Sequence, residues 1–206
     1  MARPKQRTPE LREHVLAVAT ALLAQEGAAG FTTRSVAREA GTSTPAVYEL
    51  FGDKGGLVRA VFFEGFRRLR TDLGTLGDSG DPRADLVGLV TIYRRFIAAN
   101  PVLADVMFSR PFTDFEPGPE EVAASGSVRI FIVERVRRCI DAGLLHGDET
   151  DIAHALVALT QGLAAAEQAR RLGTLPGSVD RRWAVAVDAL LAGFGPPAGA
   201  AHTPPY

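Results

Sequence analysis

Apolar residues recur at three- and four-residue spacing along nearly the whole chain, interrupted by glycine, proline and small polar residues. No segment alternates with the period of two that marks a strand, and no internal repeat is visible. The pattern predicts an all-α protein of about nine helices, three in a first domain and six after it. The first helix is expected over Pro9–Glu26, with Thr8 as cap, Pro9 in the first turn and Glu10 at the positive end of the dipole. Val15, Val18, Ala19, Leu22 and Leu23 form its stripe, Gly27 ends it, and Phe31 is placed to pack beneath it.

Next come two short helices. Thr32 or Thr33 caps the second, whose inward residues are Val36, Ala37 and Ala40, and Gly41 stops it. Thr42-Ser43-Thr44 is a second cap cluster, and Pro45 suits the first turn of a third helix with Val47, Leu50 and Phe51 on its apolar side. Gly52 closes that helix, and Asp53 can cap a fourth starting near Lys54.

The fourth helix should run to about Leu73, through Leu57, Val61, Phe62, Phe66 and Leu69. A glycine- and aspartate-rich loop follows. Asp81-Pro82 opens a fifth helix to about Ala99, and Asn100-Pro101 opens a short sixth to about Phe108. Residues 109–119 contain Pro111, Pro117 and Pro119, which rules out a regular helix throughout. A seventh helix is expected from Glu120 to Ala142, an eighth from Asp148 to about Leu172, and a ninth from Ser178 to Phe194. The expected organisation is 1–53 as a first domain, 54–194 as a second, and 195–206 as a proline-rich disordered tail.

Two short helices about a glycine turn, the second led by small polar residues, follow the helix-turn-helix plan. An ordinary helical hairpin shares that outline, so residue order carries the distinction. Thr32, Thr33, Arg34, Val36, Ala37, Ala40, Gly41, Ser43, Val47, Tyr48, Phe51, Lys54 and Leu57 form a run that resembles the DNA-binding domain of the tetracycline-repressor (TetR) family. The resemblance covers roughly residues 9–60. It implies a ligand-responsive transcriptional regulator, a repressor released from a palindromic operator by a small apolar or amphipathic molecule. The alternative is a small-molecule-binding helical dimer with weak or no specific DNA binding.

Thr44, Pro45, Ala46, Tyr48 and Glu49 are expected on the outer face of the recognition helix. Threonine can bond a base or a phosphate, and the Thr44 and Ala46 methyls can meet a thymine methyl. By resemblance, Tyr48 and Lys54 reach the DNA backbone, and Arg34, beside Thr33, reaches a guanine edge or a phosphate. Glu49 and Leu50 depart from the family pattern, which often has an aromatic or basic residue and a histidine there. A carboxylate near phosphate is repelled unless it accepts from cytosine N4.

Aromatic residues concentrate between the fourth and seventh helices, and most of them read as core. The resemblance implies an effector cavity in the larger domain. The residues expected at it are Phe62, Phe66, Tyr93, Phe96, Met107 and Phe108, with Phe131 and Gln161; Phe112 and Phe115 belong to the same concentration. Gln161 is the polar member, within Leu159-Thr160-Gln161-Gly162-Leu163, a segment similar to a Trp-His-Gly element in one branch of the family. The resemblance also implies a homodimer through the eighth and ninth helices. Ala153, Gly162, Ala164 and Ala165 beside Leu156 and Leu163 are the expected contacts from the first of these. Trp183, Val187, Leu190, Leu191 and Phe194 are those from the second.

Composition adds limits. The chain has 206 residues, 46% apolar and 23% charged, with a net charge of −1. That balance argues against an indiscriminate polybasic nucleic-acid binder. Residues 1–76 nevertheless hold 11 Lys/Arg against 8 Asp/Glu, and residues 77–206 hold 12 against 16. Arg3, Lys5 and Arg7 read as a basic arm able to reach phosphate, or equally as a solubilising tail. A single cysteine, Cys139, excludes an intrachain disulfide and fits a reducing cytoplasm. No apolar run reaches 18 residues, so no membrane span is expected. His14, His146, His154 and His202 form no metal-ligand spacing with Cys139 or a carboxylate. No nucleophile elbow, P-loop or dinucleotide fingerprint occurs, so neither catalysis nor a cofactor or metal is expected.

Overall fold

A computed structural model describes residues 8–108 and 118–196. The described residues form α1 (Pro9–Gly30), α2 (Thr33–Glu39), α3 (Thr44–Phe51), α4 (Lys54–Gly74), α5 (Pro82–Ala99), α6 (Pro101–Phe108), α7 (Pro119–Asp141), α8 (Glu149–Gln168) and α9 (Pro176–Gly193). The all-α expectation is met, with no strand among the described residues. No single described helix is long and apolar enough to cross a membrane. The basic arm, Phe112, Phe115, His202 and most of the tail lie outside the described residues.

The chain divides into two compact units. The first comprises residues up to Leu69 together with Ala99–Gly126. In it, α1 packs on α2 and α6, and α2 packs on α3. Val15, Ala19, Phe31, Val36, Val47, Leu57 and Val61 are buried at its centre, as their spacing predicted. The helical break at Gly27 is real, since its φ of 67° leaves the helical region, although one further turn carries α1 to Gly30. Gly65 lets α4 and α6 approach: a Cβ there would lie 2.5 Å from the Met107 sulfur.

The second unit comprises Arg70–Ala98 and Ser127 onward. Its core includes Leu86, Leu89, Phe96, Ile132, Val136, Ile152, Leu156 and Leu191. α8 packs on α9, and the His146 amide donates to the Phe194 carbonyl at 2.7 Å, tying the start of one to the end of the other. Cys139 is buried and donates to the Pro82 carbonyl at 3.2 Å, with burial pushing the thiol's pKa up. Ion pairs brace the unit, Arg138 holding the exposed Asp78 and the buried Asp85, and Arg94 holding Glu167 and Asp180.

α8 ends four residues before the expected Leu172. Arg170 takes the left-handed conformation with φ 56°, and the amides of Arg170 and Arg171 fold back onto the carbonyls of Glu167 and Ala166. This is a C-terminal closure of the kind usually built on glycine. Here the chain uses an arginine instead.

Candidate functional site

Local capping places the α2–α3 pair. Thr32, not Thr33, is the cap: its Oγ1 accepts from the Ser35 amide at 3.0 Å, and its own amide donates to Ser35 Oγ at 3.0 Å. Such a reciprocal box satisfies two orphan donors at once. Thr33 is thereby left as the first helical residue. Its hydroxyl lies 3.5 Å from that of Tyr48, a long contact between α2 and α3. Gly41, with φ 61°, closes α2 while the Thr42 amide donates to the Ala37 carbonyl. Ser43 caps α3 through the Ala46 amide at 3.3 Å, and Pro45 sits in its first turn.

The two sides of α3 then separate. Val47 and Phe51 are buried, and the Arg12 guanidinium of α1 sits 5.1 Å above the Phe51 ring. Tyr48 is 48% exposed, and Pro45 and Glu49 are exposed beside it, with Thr44 half-buried. Ala46 departs from expectation. It is only 8% exposed, because it lies one turn before Leu50 and beside Val47 on the inner face. It therefore leaves the outward set. Nothing in the spacing announced Arg12.

Past Gly52, whose φ is 80°, Asp53 Oδ1 accepts from the Gly56 amide at 2.7 Å and starts α4. Lys54 is exposed at that helix start, and Arg34 is exposed on α2. Gly56 was not singled out in the sequence. A Cβ at Gly56 would lie 1.8 Å from the Phe51 carbonyl oxygen, so the α3–α4 corner requires glycine there. The outward groups Thr33, Arg34, Thr44, Tyr48 and Lys54 supply hydroxyls and fixed positive charge, the set that bonds phosphate oxygens and base edges.

The residues expected at the effector site fall into both units. In the first, the rings of Phe62 and Phe66 lie 4.9 Å apart, and Phe66 meets Phe108 edge-on at 6.0 Å. Met107 is buried against Gly65. In the second, Gln161 Nε2 donates to the Tyr93 hydroxyl at 3.1 Å. Burial pushes the Tyr93 pKa up to about 12, partly opposed by that bond. Phe96 is buried nearby in sequence, and Phe131 lies under two guanidiniums, those of Arg70 and Arg135. Among the described residues no group of three or more histidine, cysteine or carboxylate side chains is placed to hold a metal.

Comparison with known proteins decides the family. Residues 15–61 match the family described as bacterial regulatory proteins, tetR family. Residues 86–190, half of the chain, match the tetracyclin repressor-like C-terminal domain. The chain belongs to the TetR family. It is thus a DNA-binding, ligand-responsive transcriptional regulator. No curated protein gives a significant match to the sequence.

Solved structures share the fold of this TetR protein along almost its whole length. A Rhodococcus sp. RHA1 protein of unknown function is 27% identical with a TM-score of 0.81, covering 94% of this chain and 100% of its own. A tetR-family regulatory protein from Rhodococcus RHA1 is 21% identical with a TM-score of 0.69, covering 91% and 98%. SmeT in complex with triclosan is 22% identical with a TM-score of 0.65, covering 96% and 99%.

The α8 and α9 side chains of this TetR protein are distributed differently from expectation. Ala153, Leu156 and Ala164 are buried on α8, and Trp183, Val187 and Leu191 are buried on α9. Each lies on the side of its helix that packs within the unit, so these six are core residues. The outer side of α8 instead carries Ala158, Gly162 and Ala165, with Leu163 half-buried. That of α9 carries Val185, 62% exposed, with Ala189 and Ala192. Leu190 and Phe194 are half-buried.

Proposed function

We propose that this TetR protein is a homodimeric repressor that holds two α3 helices in successive major grooves of a palindromic operator and releases it on binding a small apolar or amphipathic effector. The observation that carries the reading is the two-sidedness of α3: Ala46, Val47 and Phe51 are buried while Tyr48 and its neighbours face outward beside Thr33 and Lys54. Thr44 and Pro45 meet base edges, and Thr33, Arg34, Tyr48 and Lys54 hold phosphates. Lys54 lies at a helix start, where positive charge and unsatisfied amides together favour an anion. Function of this kind places the protein in the cytoplasm with the chromosome.

The second subunit joins through the outer sides of α8 and α9, where small residues allow close helix approach. The effector binds among the aromatic residues of the second unit, with the Tyr93–Gln161 pair as a polar anchor. SmeT, which holds triclosan, supports a small-molecule effector. α4 is the lever: Lys54 stands at its start and Phe62, Phe66 and Leu69 follow along it. An effector acts only through its different affinities for the two arrangements.

Nuclease protection on the DNA flanking the protein's own gene tests the proposal. The expected footprint is two symmetric half-sites about 34–36 Å apart, or a multiple of that spacing. No protected site at near-physiological salt would leave the non-DNA-binding alternative.

A further inference from the structure

Among the described residues two guanidiniums fill the edge formed by Nε and Nη2 with both oxygens of one carboxylate. Arg67 donates from Nε and Nη2 to Glu64 at 2.6 and 2.8 Å. Arg94 donates the same way to Glu167 at 2.8 and 2.7 Å. Arg135 on α7 differs. Its Nη2 reaches only the Leu76 carbonyl, at 3.3 Å, and its Nε is buried with no hydrogen-bond partner. A buried donor left unbonded is costly, more so on a charged group. A carboxylate is the group whose two coplanar oxygens match that edge.

The surroundings of Arg135 add a second cation. The Arg135 guanidinium carbon lies 4.6 Å from the centre of the Phe131 ring, and that of Arg70 lies 4.5 Å from the same centre. One phenyl ring thus serves two positive charges. The hydrogen bonds of the neighbouring acids go elsewhere: Asp78 and Asp85 both bond Arg138, and Asp85 also accepts from Ser79, although the Arg135 charge still helps to hold the Asp78 pKa down. Among the described residues no carboxylate is hydrogen-bonded to Arg70 or Arg135. All of these residues belong to the second unit.

The geometry points to an acid-binding site: Arg135, helped by Arg70 across Phe131, takes the carboxylate of an organic acid at Nε and Nη2, in place of the Leu76 carbonyl. This rests on the ligand-responsive reading and narrows it, from an apolar or amphipathic effector to one that carries a carboxylate. The carbonyl bond given up is long, and the two charge-assisted bonds gained are of the stronger kind. Arg70 raises the local positive potential without needing to touch the acid.

Paired titrations of the full-length protein test the site, using octanoate against 1-octanol and benzoate against benzyl alcohol, followed by calorimetry without DNA. Within at least one pair the acid is expected to bind at least tenfold tighter than the alcohol. Arg135→Gln should cost the acid at least tenfold and leave the alcohol unchanged, and Arg135→Lys, which keeps charge but not the two-donor edge, should fall between. If Arg135→Gln fails to fold, judged by circular dichroism, Arg70→Gln carries the test with a several-fold loss for the acid alone. Equal binding of acid and alcohol, wild-type acid affinity in Arg135→Gln, or no acid binding at millimolar concentration would each overturn the site. Displacement of the acid by equimolar inorganic phosphate would overturn the assignment to carboxylate. Operator binding is measured separately. A protein that binds the acid but no operator refutes the repressor reading and leaves the site standing, and the converse result does the reverse.

Discussion

The carbonyl oxygen of Phe51 stands where a side chain on Gly56 would have to be, 1.8 Å from the position of a Cβ. That contact sets the corner between α3 and α4, and with it the spacing of Tyr48 from Lys54. Gly56→Ala should therefore destabilise the protein by about 1–3 kcal/mol, the range for forced overpacking, and should weaken DNA binding even at temperatures where the fold persists. Gly126, inside α7 with open space around it, is the contrast. Gly126→Ala should stabilise by roughly 0.5–1 kcal/mol through helix propensity. Thermal melts of the two variants check both signs.

Lys54 is proposed to hold a phosphate, so its loss should act on all duplexes alike. Lys54→Ala should weaken operator and scrambled DNA by similar factors and reduce the salt slope by about one unit. An unchanged slope removes Lys54 from the DNA contacts.

The dimer reading is best tested on exposed residues, which the fold of one subunit does not need. Val185→Glu on α9 and Ala165→Glu on α8 should each give folded monomers in sedimentation that no longer protect a palindromic site. Leu191→Glu, by contrast, should unfold the subunit, because Leu191 is part of the core. Charged variants that remain dimeric would place the interface elsewhere.

Glu64 and Tyr93 are two of the groups that make stability depend on pH. Burial raises the Glu64 pKa, but hydrogen bonds and charge from Arg67 and Arg68 outweigh it and hold the carboxyl below its usual range. A lowered folded pKa means stability that is present above the unfolded value and lost as pH falls through the folded one. Glu64→Gln should accordingly flatten the acid side of the stability profile, below about pH 4.5. Tyr93 has the opposite sign: burial pushes it up to about 12, so its contribution holds below the ordinary tyrosine value and is lost as pH rises towards 12. Tyr93→Phe should remove that alkaline loss. Urea midpoints taken across pH measure both.

Much of this protein was legible where backbone chemistry is local. Ser43, Gly41, Gly52 and Asp53 announce caps and turns because each solves a problem confined to a few residues, and the structure uses all four. The buried face of α1 followed from spacing for the same reason. Ala46 misled because exposure on an eight-residue helix turns on one step of rotation. Arg170 misled because a left-handed arginine has no signature in sequence. Gly56 and Arg135 were invisible for a different reason: their meaning comes from the Phe51 carbonyl and the Leu76 carbonyl, which the chain delivers only after it has turned. Ala153, Ala164, Trp183 and Leu191 read as a partner-facing surface until the structure showed that they pack within their own unit.

The central claim is that the outer face of α3 reads a specific DNA sequence. Fluorescence anisotropy with the duplex flanking the protein's own gene and with a scrambled duplex, at one salt concentration, measures this directly. The account predicts at least about a thousandfold preference for the native duplex. It also predicts that Tyr48→Ala weakens that complex while the protein stays folded. Equal affinity for the two duplexes would contradict the account.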